Sequence, residues 1–138
     1  MGTIFRAIPF TILPAILYAL FALPMGYQNM RAALDAPIFS MVLPSGSDWV
    51  VGRGDALLMF AAGCLFVEIV KATSTARAAL VENTLAVLCF TVCFVAFLLV
   101  PAFGTNEFFL ITSILLVDFI ASFIVMTVSA RRDVTFNA

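Results

Sequence analysis

The chain has 138 residues, of which 64% are hydrophobic and 11% are charged, and its net charge is −1. A soluble domain is about 45–50% apolar and about 25% charged, so this composition indicates a single-domain membrane protein. The near-neutral charge offers no basic surface and excludes nucleic acid as an expected partner. The sequence contains no histidine, so we expect neither a haem nor a zinc site, and nothing in it specifies another cofactor.

Four apolar segments are each close to the ~20 residues that an α-helix needs to cross a bilayer. They are residues 4–25, 55–75, 78–101 and 107–129. The first contains three prolines, which predict kinks in that helix. The predicted fold class is therefore all-α, with residues 1–138 forming one transmembrane domain. Its architecture would be an antiparallel bundle of four transmembrane helices.

The segment 26–54, between the first two spans, is predicted to be a long outer loop. Within it, the apolar run 37–43 is followed by the turn signal Pro-Ser-Gly at 44–46. This run is too short to cross a membrane, so we expect it to lie at the membrane interface or to pack on the bundle. Aromatic side chains are enriched at such interfaces, and the loop would also suit partner docking. The candidate interface residues of the loop are Tyr27, Phe39 and Trp49.

The lysines and arginines predict the orientation, because cytoplasmic loops carry an excess of them. Five of the seven fall on one predicted side of the membrane, and they are Arg6, Lys71, Arg77, Arg131 and Arg132. Arg31 and Arg53 fall on the other side. We therefore expect both termini to be cytoplasmic and the protein to lie in a bacterial inner membrane.

Asp118 is the only charged residue between Glu107 and Arg131. A carboxylate at that depth costs about 2.5–3.5 kcal/mol by insertion scales, unless it is neutral, paired or hydrated. Glu68 lies three residues before Lys71 and can pair with it on one helix. Asp118 has no basic residue one turn away, so its partner must come from elsewhere in the bundle. The candidates at a similar depth in the membrane are Tyr18, Thr11, Thr91 and Ser122. The candidate intramembrane polar site consists of Asp118, Glu68, Ser122 and Tyr18.

Each predicted span has one face of small or polar residues, which lets membrane helices approach closely. On the first span this face is Ala7, Thr11, Ala15, Tyr18 and Ala22; on the second it is Leu57, Ala61, Cys64, Glu68, Ala72 and Thr75; on the third it is Glu82, Ala86, Cys89, Cys93 and Ala96. On the fourth it is Glu107, Ile111, Ile114, Asp118, Ser122, Val125 and Ser129, with Phe108, Phe109, Phe119 and Phe123 pointing elsewhere. We expect these faces to point inward and the phenylalanines toward lipid, or some faces to contact other subunits. Glu82 and Asn83 should be solvated or cap the third helix.

No catalytic constellation is visible, so the first expectation is a non-enzymatic membrane protein. It would act as an accessory subunit or a homo-oligomeric scaffold, with lipid and itself or a larger membrane complex as partners. The alternative is a small proton- or cation-linked transporter or channel that uses Asp118 and Glu68. An intramembrane enzyme would need a second catalytic group, Tyr18 or Glu68, within hydrogen-bond reach of Asp118.

Overall fold

The computed structural model describes residues 9–72 and 78–136, and the fold is mostly helical. In chain order the elements are helix α1 (Ile12–Asp35), strands β1 (Pro37–Val42) and β2 (Asp48–Gly52), helices α2 (Arg53–Ala72) and α3 (Ala78–Leu99), a 3-10 turn (Pro101–Phe103) and helix α4 (Asn106–Phe136). The expected helical class is confirmed, with a two-stranded hairpin added to it. The predictions for residues 4–8 and 73–77, which include Arg6 and Arg77, lie outside the described residues, as do those for the side chains of Ala72, Glu82, Ser129, Arg131 and Arg132.

Helix α1 is bent at Gly26, whose backbone angles (φ 71°, ψ 173°) are not helical. Only glycine adopts this region without strain, and Pro24 just before it removes a backbone donor from the helix. The predicted end of the first span near residue 25 coincides with this bend, and a second helical segment continues from the bend to Asp35. Met30 and Leu34, four residues apart, are buried and dock the second half of α1 on the core.

The apolar run 37–43 forms strand β1, which pairs with β2 in an antiparallel hairpin. Met41 lies opposite Trp49, and the turn is closed by a hydrogen bond from the Gly46 amide to the Leu43 carbonyl (2.8 Å). The predicted loop 26–54 thus contains half of a helix and a hairpin. The strands form because the turn at 44–46 lies between two short runs with apolar and β-branched residues. At the base of the hairpin, the Arg53 amide donates to the Ala36 carbonyl (3.0 Å).

Helix α4 is the central element and packs along both α2 and α3, whereas α1 packs mainly on α2 and the 3-10 turn and less extensively on α4. Helices α1 and α3 touch only briefly. The predicted inward face of α1 is buried at Thr11, Ala15, Tyr18 and Ala22.

An aromatic cluster closes the core where α4 begins. The ring of Phe108 packs on Tyr18 and Phe103, with centroid distances of 4.8 and 4.7 Å. Phe108 is 1% exposed, so the expectation that it points away from the core is wrong. The reason is that the 3-10 turn folds Phe103 back over the start of α4, which encloses a second face of this helix.

One helix of the described residues, Asn106–Val128 within α4, is long and apolar enough to cross a membrane. The apolar part of α3, Asn83–Leu99, is shorter, and α2 carries charged side chains near both ends. A single such helix is weak support for a membrane location, because the core helix of a soluble protein has the same length and composition.

The bend at Gly26 generates a stability prediction. Gly26→Ala should lower the free energy of unfolding by about 1–3 kcal/mol, because a Cβ is strained at φ 71° although nothing lies within 4 Å of it. Gly63→Ala is the matched control, because Gly63 is helical and also has open space around it, so alanine should be neutral or stabilising there. Thermal unfolding in detergent, followed by circular dichroism, measures both. Equal stability of the two variants would contradict the role of Gly26.

Candidate functional site

The two buried acids, Glu68 on α2 and Asp118 on α4, both reach the beginning of α1. The Thr11 hydroxyl donates to Asp118 Oδ2 at 2.6 Å, the length of a strong hydrogen bond between a hydroxyl and a carboxylate. Thr11 and Asp118 are each 1% exposed, so this bond is shielded from the surroundings. Thr11 was one of four candidates for this contact, and it is the partner that the structure provides.

Glu68 binds the residue just before Thr11. Its Oε2 accepts a hydrogen bond from the Phe10 amide (2.9 Å), and its Oε1 pairs with Lys71 Nζ (3.2 Å). The first amides of a helix have no partner within the helix, and negative charge is favourable near a helix N-terminus. Glu68 therefore satisfies from α2 a donor that α1 cannot satisfy itself. Lys71 Nζ also lies over the Phe10 ring, 5.3 Å from its centroid.

We call this set the polar clamp, defined by Phe10, Thr11, Glu68, Lys71 and Asp118. Two consecutive residues at the start of α1 are held by two acids from two different helices. The clamp joins α1, α2 and α4 by hydrogen bonds at one end of the molecule. Chemically, it is an arrangement that fixes helix positions and keeps two carboxyl groups inside.

Two buried side-chain oxygens have no hydrogen-bond partner among the described residues. They are Oδ1 of Asp118 and Oδ1 of Asn83, the latter on α3. Asn83 is 8% exposed, so the expected solvated role for it is wrong, because α3 packs against α4 along this stretch. A buried acceptor without a donor costs about 1–3 kcal/mol, so these atoms are where an added donor or cation would be stabilised most.

Tyr18 and Ser122 are not part of the clamp. The Tyr18 hydroxyl donates to the Ala102 carbonyl (3.1 Å) and lies 2.7 Å from Thr105 Oγ1. Tyr18 is seven residues beyond Thr11, about 10 Å further along the helix, which brings it to the start of α4. Ser122 is half-buried one turn after Asp118 and makes no hydrogen bond with the described residues.

Two residues of these networks had no assigned role in the sequence prediction: Phe10 and Thr105. Phe10 contributes its backbone amide, for which a side-chain pattern gives no signal. Thr105 Oγ1 accepts from the Phe108 amide (3.3 Å), the position of an N-cap bond. A threonine three residues before Phe108 was a readable signal of this cap. Thr91, a proposed partner of Asp118, instead donates to Val87 on its own helix (2.8 Å).

The candidate interface residues separate into two places. Phe39 and Trp49 meet edge to face on the hairpin, with a centroid distance of 6.4 Å and an interplanar angle of 84°. Tyr27 lies on α1 just after the bend, where its hydroxyl accepts a hydrogen bond from Arg31 (3.3 Å). This bond raises the pKa of the Arg31 guanidinium above its ordinary value. All three aromatic rings are exposed.

Comparison of the chain with protein-family models, with curated proteins and with solved structures finds no match. In the described part of the chain, no three Cys, Asp or Glu side chains lie close enough together to hold a metal ion. The polar clamp, the exposed apolar surface and the grooves between helices are the features that bear on function.

The polar clamp generates a test by double-mutant cycle. Thr11→Val should cost about 1–3 kcal/mol of unfolding free energy, because it leaves the buried Asp118 carboxyl without its donor. Thr11→Val with Asp118→Leu should cost less than the sum of the two single changes, by about 0.5–3 kcal/mol.

The matched control for this cycle is Thr112→Val. Thr112 is as buried as Thr11, but its hydroxyl donates to the Phe108 carbonyl of its own helix, so the change should cost little. Additive effects of Thr11→Val and Asp118→Leu, measured by denaturant titration in detergent, would contradict a coupled pair.

Proposed function

We propose that this protein is an integral membrane protein of four spans that acts as a structural subunit or homo-oligomeric scaffold. It would lie in a bacterial inner membrane with both termini cytoplasmic, and it would not be an enzyme. Its partners would be lipid, further copies of itself, or a larger membrane complex.

The observation that supports this proposal is the distribution of apolar and polar side chains. Large apolar side chains are exposed on all four helices, for example Leu20 (65%), Phe66 (69%), Val92 (68%) and Ile124 (54%). The polar residues Thr11, Glu68 and Asp118 are instead buried. Water-soluble monomers rarely expose apolar patches beyond a few hundred Å². A lipid surrounding favours this distribution, with polar side chains bonding between helices inside.

The helix dimensions agree with a bilayer. Only 28% of the apolar stretch in α4 is buried, which disfavours a core helix of a soluble domain. Helix α2 has 20 residues, about 30 Å, and thus matches the hydrocarbon thickness. Glu68 and Lys71 of α2 form a salt bridge within the polar clamp. Because Glu68 is also buried, its carboxylate would not face lipid.

The polar clamp favours a structural role over a catalytic one. Both acids are used to hold the chain that enters α1, and the Asp118 bond goes to a threonine rather than to a second acid or a base. The hydroxyl of Tyr18, the other group considered for catalysis, is occupied at the start of α4. These contacts stabilise one arrangement of α1, α2 and α4.

The groove between α1 and α3 is where we expect a second copy to pack. It has a volume of about 400 Å³ and an apolar lining in which small residues, among them Ala15, Ala19, Cys89 and Cys93, alternate with larger ones. Small residues let two helix backbones approach closely in a membrane. The four helices of one chain leave this face uncovered because α1 and α3 touch only briefly.

Single-cysteine variants test the proposed assembly in native membranes. A chain that keeps only Cys93 should form a disulfide-linked dimer under mild oxidation, because Cys93 lines the α1–α3 groove. A chain that keeps only Cys64 is the matched control and should stay monomeric, because Cys64 is buried. The membranes are extracted with alkali, and the dimer is then detected by non-reducing electrophoresis. Release of the protein by the alkaline extraction would contradict the membrane proposal. A Cys93-only chain that forms no disulfide-linked dimer and also runs as a monomer on native gels would contradict the scaffold proposal.

A small proton- or cation-linked transporter is the second candidate, and the unpartnered Oδ1 of Asp118 favours it. A proton or a small cation at this atom would relieve the cost of a buried acceptor, and Glu68 provides a second acid on α2. Asp118 does not line the α1–α3 groove, and this favours the scaffold.

Asp118→Asn separates the two candidates, because asparagine can still accept the Thr11 hydroxyl while it loses the charge. The scaffold proposal expects an intact oligomer on native gels and no change in proton or cation flux in proteoliposomes. Loss of a measurable flux with assembly intact would instead establish the transporter. Thr112→Val, which leaves the clamp unchanged, is the control for reconstitution.

A further inference from the structure

A second groove lies where α1 bends. It is bounded by both halves of α1 and the first two turns of α2, and its volume is about 380 Å³. We call it the kink groove, defined by Phe21, Met30, Ala33, Arg53 and Phe60 among its lining residues. The bend at Gly26 creates it, because the second half of α1 turns away from the first instead of continuing straight.

The lining of the kink groove is apolar apart from Arg53 and Tyr18, and the Tyr18 hydroxyl is already bonded to Ala102 and Thr105. The guanidinium of Arg53 is exposed and forms no salt bridge with the described residues. Two acids lie near the adjacent backbone: Asp55 accepts from the Gly52 amide (2.9 Å), and Glu107 approaches Gly54, but neither lines the groove. The kink groove thus combines an apolar channel with a single positive charge.

The size and the charge of the kink groove favour a small amphipathic occupant. Its volume falls in the range of small-molecule sites, about 300–1,000 Å³, and its lining includes Arg53, whereas the α1–α3 groove has no charged residue. The lining includes the flexible side chains of Met25 and Met30, which adapt to the shape of a ligand, and the flat rings of Phe21 and Phe60. Both kinds of surface suit a flexible hydrocarbon chain.

We propose that the kink groove binds one anionic phospholipid, with an acyl chain in the groove and the phosphate of the headgroup against Arg53. The inference rests on the proposed function in one respect, that the helices lie in a bilayer. Arg53 begins α2, at the opposite end of that helix from Lys71 of the polar clamp. A guanidinium pairs with a phosphate through two parallel hydrogen bonds, which any phospholipid can offer. The choline of a zwitterionic headgroup would add a second cation near Arg53, so the net charge of the headgroup provides the selectivity and the groove provides the affinity.

The test uses the full chain in nanodiscs made of equal amounts of phosphatidylglycerol and phosphatidylcholine with identical acyl chains. Native mass spectrometry, after release from the nanodisc, measures which lipid stays bound. We expect one phosphatidylglycerol per chain, retained about tenfold over phosphatidylcholine, and near-equal retention of the two lipids in Arg53→Gln. Arg31→Gln is the matched control and should keep the preference, because Arg31 does not line the groove and is bonded to Tyr27.

A second pair of variants tests the apolar part of the groove. Ala33→Phe should fill the groove and reduce retention of both lipids, whereas Ala32→Phe, at an exposed neighbour that does not line the groove, should change neither. Circular dichroism checks that all variants are folded. An unchanged lipid preference in Arg53→Gln, or unchanged retention in Ala33→Phe, would overturn the proposal. Failure of the protein to enter nanodiscs would contradict the membrane proposal, whereas entry without a lipid preference would contradict this inference alone.

Discussion

The arrangement of the helices depends on the pairing of two buried acids with the start of α1. A carboxyl group in a largely apolar helix is expensive unless another element supplies a hydrogen-bond donor. Here Asp118 receives the Thr11 hydroxyl and Glu68 receives the Phe10 amide, so both donors lie at adjacent positions of one chain segment. This pairing helps to fix the position of α1 against α2 and α4, because the two donors are adjacent in the chain and the two acids lie on different helices.

A second polar network, seven residues along α1, supports the first. Tyr18 bonds the Ala102 carbonyl and contacts Thr105, and its ring packs in the aromatic cluster with Phe103 and Phe108. Helix α1 is thus held at its start and at the middle of its first half. The bend at Gly26 lies beyond these contacts, so the second half of α1 can turn toward α2 without disturbing them, and the kink groove results.

Much of the fold was predictable from residue spacing, and the exceptions have physical causes. The inward face of α1 and the buried positions Ala61, Cys64 and Glu68 of α2 follow from helical periodicity alone. The hairpin was missed because its residues are exposed on both faces and therefore lack the alternation that identifies a strand. Phe108 was assigned outward because a single polar stripe was taken as the whole buried face, whereas the 3-10 turn covers another side.

The candidate site was predictable only in part. The burial cost of Asp118 and the spacing of Glu68 and Lys71 identified the two acids, but four partners for Asp118 remained open. Choosing among them requires knowing how far α1 is shifted along α4, and the sequence does not specify a shift between helices that are distant in the chain. The role of the Phe10 amide is invisible in any side-chain pattern, because every residue other than proline carries such a donor.

The separation of Thr11 and Asp118 by 107 positions has a consequence for biosynthesis. The partners of Thr11 and Tyr18 all lie at position 102 or later, so α1 has no completed polar network until α4 has left the ribosome. Such long-range contacts form late, because the intervening chain must first be made and closed into a loop. During synthesis Thr11 and Tyr18 therefore lack their hydrogen-bond partners until α4 has been made. The packing of α4 against α1 then completes the fold.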